Sequence, residues 1–210
     1  IKKSKELLMT MKKQDYQLFL NANHNAFLAN ALTIKAFKEI CPNGKIGPSF
    51  AYGPCYSISP KADDILAMEN ALEITNHYYL DVYAFGEYNK LALKIFEDLG
   101  YSVPFEDGDK EILKSYLPDY MGVNYYSTQT FRDRNSEETT NLQKGNTVQT
   151  VKSEVKEKPF DKYFMNTDNP YVGMTEWNWT IDPEGLRIAL RRIESRYRLP
   201  VMITENGLGA

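Results

Sequence analysis

The sequence is poor in the residues that announce most chemistries. It has two cysteines, Cys41 and Cys55, in no CxxC pattern, and they read as free thiols of a reducing cytoplasm. Its two histidines, His24 and His77, stand far apart without metal-ligand spacing and read as structural. No apolar run approaches the roughly 20 residues of a membrane span. Ile1-Lys2-Lys3-Ser4-Lys5 leads into an amphipathic stretch without the apolar core of a signal peptide. The net charge of −3 gives no basic footprint for nucleic acid or an anionic membrane. There is no P-loop and no GxSxG elbow. The expectation is a cytoplasmic chain with no cofactor, no metal, no nucleic acid and no membrane partner.

What is present is an ordinary globular composition, 42% hydrophobic and 25% charged over 210 residues, enough for a substantial core. Periodicity predicts a long helix over Gln14 to Ile40, with Ala26, Ala29, Thr33, Phe37 and Ile40 on its stripe, stopped by Pro42-Asn43-Gly44. Lys45 to Tyr52 is a strand candidate running out into Gly53-Pro54. Helices are predicted over Lys61 to Asn76, with Ile65, Met68 and Leu72 in phase, and over Asn89 to Leu99, closed by Gly100. Tyr120 to Tyr126 is a second strand. Asp182-Pro183 opens the last helix as N-cap and first helical residue, with Leu186, Leu190, Ile193 and Tyr197 on its buried face. Val201 to Ile203 is the third strand. Strands alternating with helices imply a parallel α/β sheet, and three strands are too few to close a barrel of eight. The polar stretch from Arg132 to Lys158 is too long for an ordinary connector; it reads either as a mobile surface loop or, because it follows the second strand on the active face, as a loop able to cover a substrate.

One carboxylate stands out. Glu205 follows the apolar run Val201-Met202-Ile203 and precedes an Asn206-Gly207 turn. The C-terminal end of a parallel strand is where catalytic groups gather, so Glu205 is a candidate nucleophile or base. The second strand ends Asn124-Tyr125-Tyr126-Ser127. A tyrosine hydroxyl there could hold Glu205 ionised, and alternation allows only one of Tyr125 and Tyr126 to do so. Trp177 and Trp179 precede the last helix. They share a side if their segment is extended and separate if it turns, and core packing is expected for at least one of them. Gly207-Leu208-Gly209 resembles half of a dinucleotide fingerprint, which requires a third glycine three residues on.

Together these segments resemble glycoside hydrolase family one, the β-glucosidase and 6-phospho-β-glucosidase family. The matching stretches are Ile203-Thr204-Glu205-Asn206-Gly207, Tyr120-Met121-Gly122-Val123-Asn124-Tyr125-Tyr126 and Trp179-Thr180-Ile181-Asp182-Pro183-Glu184-Gly185-Leu186-Arg187, with Tyr79 to Tyr83 and Gly86-Glu87-Tyr88 fitting a helical region. The resemblance implies an incomplete (β/α)8 barrel in one domain over residues 1–210, with strands five to seven present. It implies retaining hydrolysis with Glu205 as nucleophile and Tyr126 as its hydrogen-bond donor. Asn124 would line the same subsite and Trp179 would be the platform for the leaving group. The substrate implied is a β-linked phosphodisaccharide or an aryl glucoside. The stretch from Asn169 to Arg187 looks most like the phosphate-using branch.

A retaining glycosidase also needs an acid/base carboxylate, about 5–5.5 Å from the nucleophile, which in this family lies in an Asn-Glu-Pro motif. No Asn-Glu-Pro occurs here. The chain, starting at Ile1 and not Met, therefore reads as an inactive piece of a longer enzyme, prone to self-association through open sheet edges. The competing readings are a non-catalytic sugar-binding or assembly piece acting with another chain, and a nucleotide-binding domain. An upstream reading frame carrying Asn-Glu-Pro would separate the first of these from the enzyme.

Overall fold

The computed structural model describes residues 13–136 and 158–209. The chain runs α1 (Lys13–Ile40), β1 (Ser49–Ala51), β2 (Cys55–Ser57), α2 (Ala62–Leu72), a π-helical turn (Glu73–His77), α3 (Tyr78–Phe85), α4 (Lys90–Asp98), α5 (Asp109–Ser115), β3 (Met121–Tyr125), β4 (Gln129–Arg132), a 3-10 turn (Pro159–Lys162), β5 (Met165–Thr167), β6 (Gly173–Met174), β7 (Thr180–Ile181), α6 (Pro183–Tyr197) and β8 (Val201–Asn206).

The alternating pattern delivers the parallel sheet it predicts. Its order is β1-β3-β8, with Phe50 opposite Val123 and Val123 opposite Ile203. Sequence reading finds these three strands and misses the others. A second sheet pairs β2 parallel to β4 and β4 antiparallel to β5, and β6-β7 form a short hairpin. These strands are two to four residues long, below what periodicity can register.

Several helical expectations need correction. The stripe through Ala26, Ala29, Thr33, Phe37 and Ile40 is not the buried one. Ile40 is 85% exposed, Ala26, Ala29 and Thr33 face outward, and Phe37 is half-buried. Burial instead follows Tyr16, Leu20, His24, Phe27, Ala31 and Ile34. Both stripes have helical spacing; the aromatic cluster on α3 decides between them. Phe27 meets Tyr78, Tyr79, Tyr83 and Tyr88 edge-on at 5.2 to 6.1 Å between ring centres. The helix expected over Lys61 to Asn76 is interrupted by the π-turn and continues into α3, with Ile65 partly exposed. The π-turn aims Asn76 at the chain after β1, where its Nδ2 donates to Gly53 O at 3.0 Å. Gly86 ends α3 at φ +64°, where a Cβ would come within 2.4 Å of Leu113 O. Residues 137–157 of the loop expected over Arg132 to Lys158 lie outside the described residues.

Polar ties hold the helices to one another and to the chain beside the sheet. Arg196 on α6 grips Asp81 on α3 with two hydrogen bonds of 2.9 and 2.7 Å, and Tyr197 adds one of 2.8 Å. Asn89 caps α4, accepting from Leu91 N and Ala92 N, and its amide donates to Asp81. Asp119 takes Ile46 N at 2.9 Å and the Lys38 ammonium at 2.7 Å ahead of β3. The Lys38 ammonium and then the Ile46 N–H hold its carboxyl well below the usual carboxylate range.

Candidate active site

Alternation along β3 sorts its side chains. Met121, Val123 and Tyr125 point into the helical layer at 0, 0 and 4% exposure. The Tyr125 hydroxyl donates to the carbonyl of Asp182 at the mouth of α6. Gly185, in the first turn of α6, makes that approach possible, since a Cβ there would lie 2.2 Å from the Tyr125 oxygen. Asn124 and Tyr126 take the opposite face, where the cleft opens.

β8 carries Glu205 to the same face through an irregularity. Val123 pairs with Ile203, but Asn124 pairs with Glu205, so Thr204 is an extra residue in the ladder. In an unbroken strand Thr204 and Glu205 would point to opposite faces. The bulge brings both toward Asn124 and Tyr126. The Tyr126 hydroxyl donates to Glu205 Oε2 at 2.7 Å. That hydrogen bond is the first cause of a raised Tyr126 pKa, because the carboxylate opposes loss of the phenolic proton. Thr204 Oγ1 reaches Asn124 Oδ1 at 2.5 Å, and Asn206 Nδ2 donates to Tyr125 O at 2.9 Å, securing the strand beyond the bulge.

Trp179 stands beside this pair, its ring 5.5 Å from that of Tyr126 at 62°. The tryptophan segment turns. Asn178 sits at φ +57°, its N–H bonds to Thr175 O, and Thr175 N bonds to Trp179 O. The turn separates the two indoles: Trp177 is 65% exposed and Trp179 is half-buried against the cleft. Neither lies in the core, which corrects the expectation that one would. A closed hairpin holds them away from the helical layer. Thr180 locks the hairpin to the connection between β3 and β4, accepting from Thr128 N at 2.8 Å.

Glu205, Tyr126, Asn124 and Trp179 line one cleft of about 860 Å³. Its far wall is Asn166 of β5 with Asp168 and Asn169 just after it. Sequence reading reaches only Asn169 of this wall, as the first residue of the stretch likened to the phosphate-using branch; Asn166-Thr167-Asp168 carries no motif, and the pairing of β5 with β4 brings it to the cleft. Among the described residues no three His, Cys, Asp or Glu side chains gather as a metal ion would require, and no helix is long and apolar enough to cross a membrane. His24 is enclosed by Tyr88 and Asp109 at 2.7 and 2.8 Å.

The profile of glycosyl hydrolase family 1 matches residues 10–210. The chain belongs to this family. It is 48% identical over 196 residues to an aryl-phospho-β-D-glucosidase, BglC, of Bacillus subtilis, covering 93% of this chain and 41% of that protein. It is 32% identical over 195 residues to the 6-phospho-β-glucosidase AscB of Escherichia coli, covering 92% and 37%. Among solved structures it superposes on the psychrophilic β-glucosidase BglU of Micrococcus antarcticus with a TM-score of 0.73 at 26% identity, covering 91% of this chain and 40% of that one. The family-1 chain thus spans about two fifths of the length of these relatives. Its α/β architecture, with an open parallel sheet, is that of an incomplete barrel.

Proposed function

We propose that this chain forms the nucleophile-bearing part of a retaining, cytoplasmic 6-phospho-β-glucosidase. The observation that carries the reading is Glu205, at the end of a parallel strand, opening into a cleft and held by the Tyr126 hydroxyl at 2.7 Å. In the proposed reaction a Glu205 carboxylate oxygen attacks the anomeric carbon and the bond to the leaving-group oxygen breaks. The Tyr126 donor holds the carboxylate in one orientation for that attack. Asn124 lines the sugar subsite and Trp179 offers its face to the leaving group. The printed names of the relatives, aryl-phospho-β-glucosidase and 6-phospho-β-glucosidase, support a phosphorylated β-glycoside as substrate.

The three strands of the main sheet are assigned as the fifth, sixth and seventh of the barrel, in one domain over residues 1–210. The sequence has no Asn-Glu-Pro, so the 210-residue polypeptide by itself turns over no substrate that needs acid help. Among the described residues neither β1 nor β8 has a strand on its outer side, and we assign self-association to these edges.

The test separates nucleophile from acid. A 2-fluoro-β-glucoside bearing a dinitrophenolate leaving group, plain or 6-phosphorylated, needs no proton donor to react. Incubation followed by peptide mass analysis is expected to find the sugar on Glu205 and none in a Glu205→Gln chain. A sugar attached elsewhere, or equal labelling of both chains, overturns the assignment. An aryl 6-phospho-β-glucoside with a poor leaving group is expected to stay intact.

A further inference from the structure

Three adjacent strands each contribute one polar side chain to a cluster beside the cleft, with Asn124 buried and Ser49 and Thr204 exposed. Ser49 of β1 donates from Oγ to Asn124 Oδ1 at 2.9 Å, and Thr204 of β8 donates from Oγ1 to the same oxygen at 2.5 Å. The two hydroxyls lie 2.9 Å apart. Asn124, between them on β3, is 4% exposed and lines the cleft that Glu205 also lines. No acceptor among the described residues takes its Nδ2 protons.

We infer that Ser49 and Thr204 are positioning residues, whose hydroxyls hold Oδ1 of Asn124 and so present its Nδ2 to the cleft as a hydrogen-bond donor for a ligand hydroxyl oxygen beside Glu205. The inference rests on reading the cleft as a sugar site. An amide is two-faced, with an acceptor oxygen and two donor protons. As arranged, both hydroxyl protons end on Oδ1. With the amide reversed, the exposed hydroxyls could still donate to solvent, but Oδ1 would lose both of its donors. The amide also has little room to ignore this choice. Gly122, two residues before it, and Tyr126, two residues after it, occupy the same face of β3, and Thr204 Cγ2 lies 3.2 Å from where a Gly122 Cβ would be. The bulge matters here as much as for Glu205. Without the extra residue, Thr204 and Glu205 could not both face inward, and Asn124 would lose either its neighbour or its strongest hydroxyl donor.

The arrangement makes Asn124 selective for an oxygen that can accept. Asn124→Asp keeps the acceptor for Ser49 and Thr204 but replaces the donor with a carboxylate, so it separates holding the side chain from using it.

The test uses the whole chain labelled with ¹⁵N. The Asn124 side-chain amide resonances are identified by their loss in Asn124→Asp. The probe is 1-deoxynojirimycin, a glucose-shaped amine whose ammonium pairs with Glu205. In the unmutated chain the Asn124 amide resonances and the Trp179 indole are expected to shift on titration. A Ser49→Ala/Thr204→Val double variant is expected to shift the ligand-free amide resonances and to weaken binding about tenfold, with the backbone spectrum away from β1, β3 and β8 retained. Thr204→Ser is expected to restore affinity to within about twofold. If the double variant does not fold, Thr204→Val alone carries the measurement. Unmoved amide resonances and unchanged affinity in these variants overturn the inference. If the probe moves no cleft resonance in the unmutated chain, the sugar-site reading fails, and the positioning role is decided by the ligand-free amide resonances alone: shifted upholds it, unshifted overturns it.

Discussion

The two faces of β3 differ in almost every physical respect. On the outer face, Tyr125, Val123 and Met121 are sealed under helices, and the neighbouring layer is dense with aromatic rings packed edge to face around Phe27 and Tyr78. Asp81 there is paired with Arg196 and Tyr197. On the inner face, Asn124 and Tyr126 meet Glu205 and Thr204 across an open cleft, and β8 beyond them leaves Met202 and Ile203 about half exposed. The helical face carries the apolar burial that stabilises a chain of this size. The cleft face carries groups whose hydrogen-bonding capacity is not consumed by the fold. Stability and chemistry are separated by a strand's two-residue period.

The comparison can be broken first where the effect is largest. Phe27→Ala removes the centre of the aromatic cluster and is expected to cost about 3–5 kcal/mol in urea unfolding; a loss under about 1 kcal/mol would show that the helical layer is not where stability resides. Asp81→Ala leaves Arg196 and Tyr197 without their acceptor and is expected to cost about 2–3 kcal/mol, measured the same way. Asn89→Ala removes the α4 cap and is expected to cost about 1 kcal/mol, visible as a lower melting temperature.

The next test concerns pH. Asp119 is held below its ordinary range by Lys38 and the Ile46 N–H, and Asp109 by the Glu106 N–H and then His24. Their folded pKa values are depressed, so their contribution is present above about pH 4 and lost as pH falls through the folded values. Stability is expected to drop on acidification below about pH 4, and Asp119→Asn is expected to flatten that drop. At the other end, burial pushes up the phenols of Tyr78, Tyr125 and Tyr197. Raised values reverse the sign: this contribution is complete below about pH 10 and fades as pH rises above it. The smallest effect is expected in the cleft. Glu205→Gln should leave the unfolding midpoint in place while lowering the pKa of Tyr126, read by ultraviolet titration against a Tyr126→Phe control. A large loss of stability in Glu205→Gln would mean that the two faces are not separate.

Much of this division is written in the chain. Capping residues Asn89 and Asp182 start helices where they are read to start them, because a side-chain oxygen satisfies the free N–H groups of a first turn whatever surrounds it. The apolar run before Glu205 places that carboxylate at a strand's C-terminal end, and strand alternation sends Tyr125 and Tyr126 to opposite faces. These are local consequences of backbone geometry. Tertiary structure decided the rest. The phase of α1 depended on which of two apolar stripes found the rings of Tyr78 and Tyr83. The far wall of Asn166, Asp168 and Asn169 depended on β5 pairing with β4 across a long separation in sequence. The bulge at Thr204 depended on β3 as its partner, since a bulge is a mismatch between two strands and has no meaning in one. Sequence by itself determined which residues could do chemistry; the pairing of β3 with β8 determined that Glu205, Tyr126, Asn124 and Thr204 share one face.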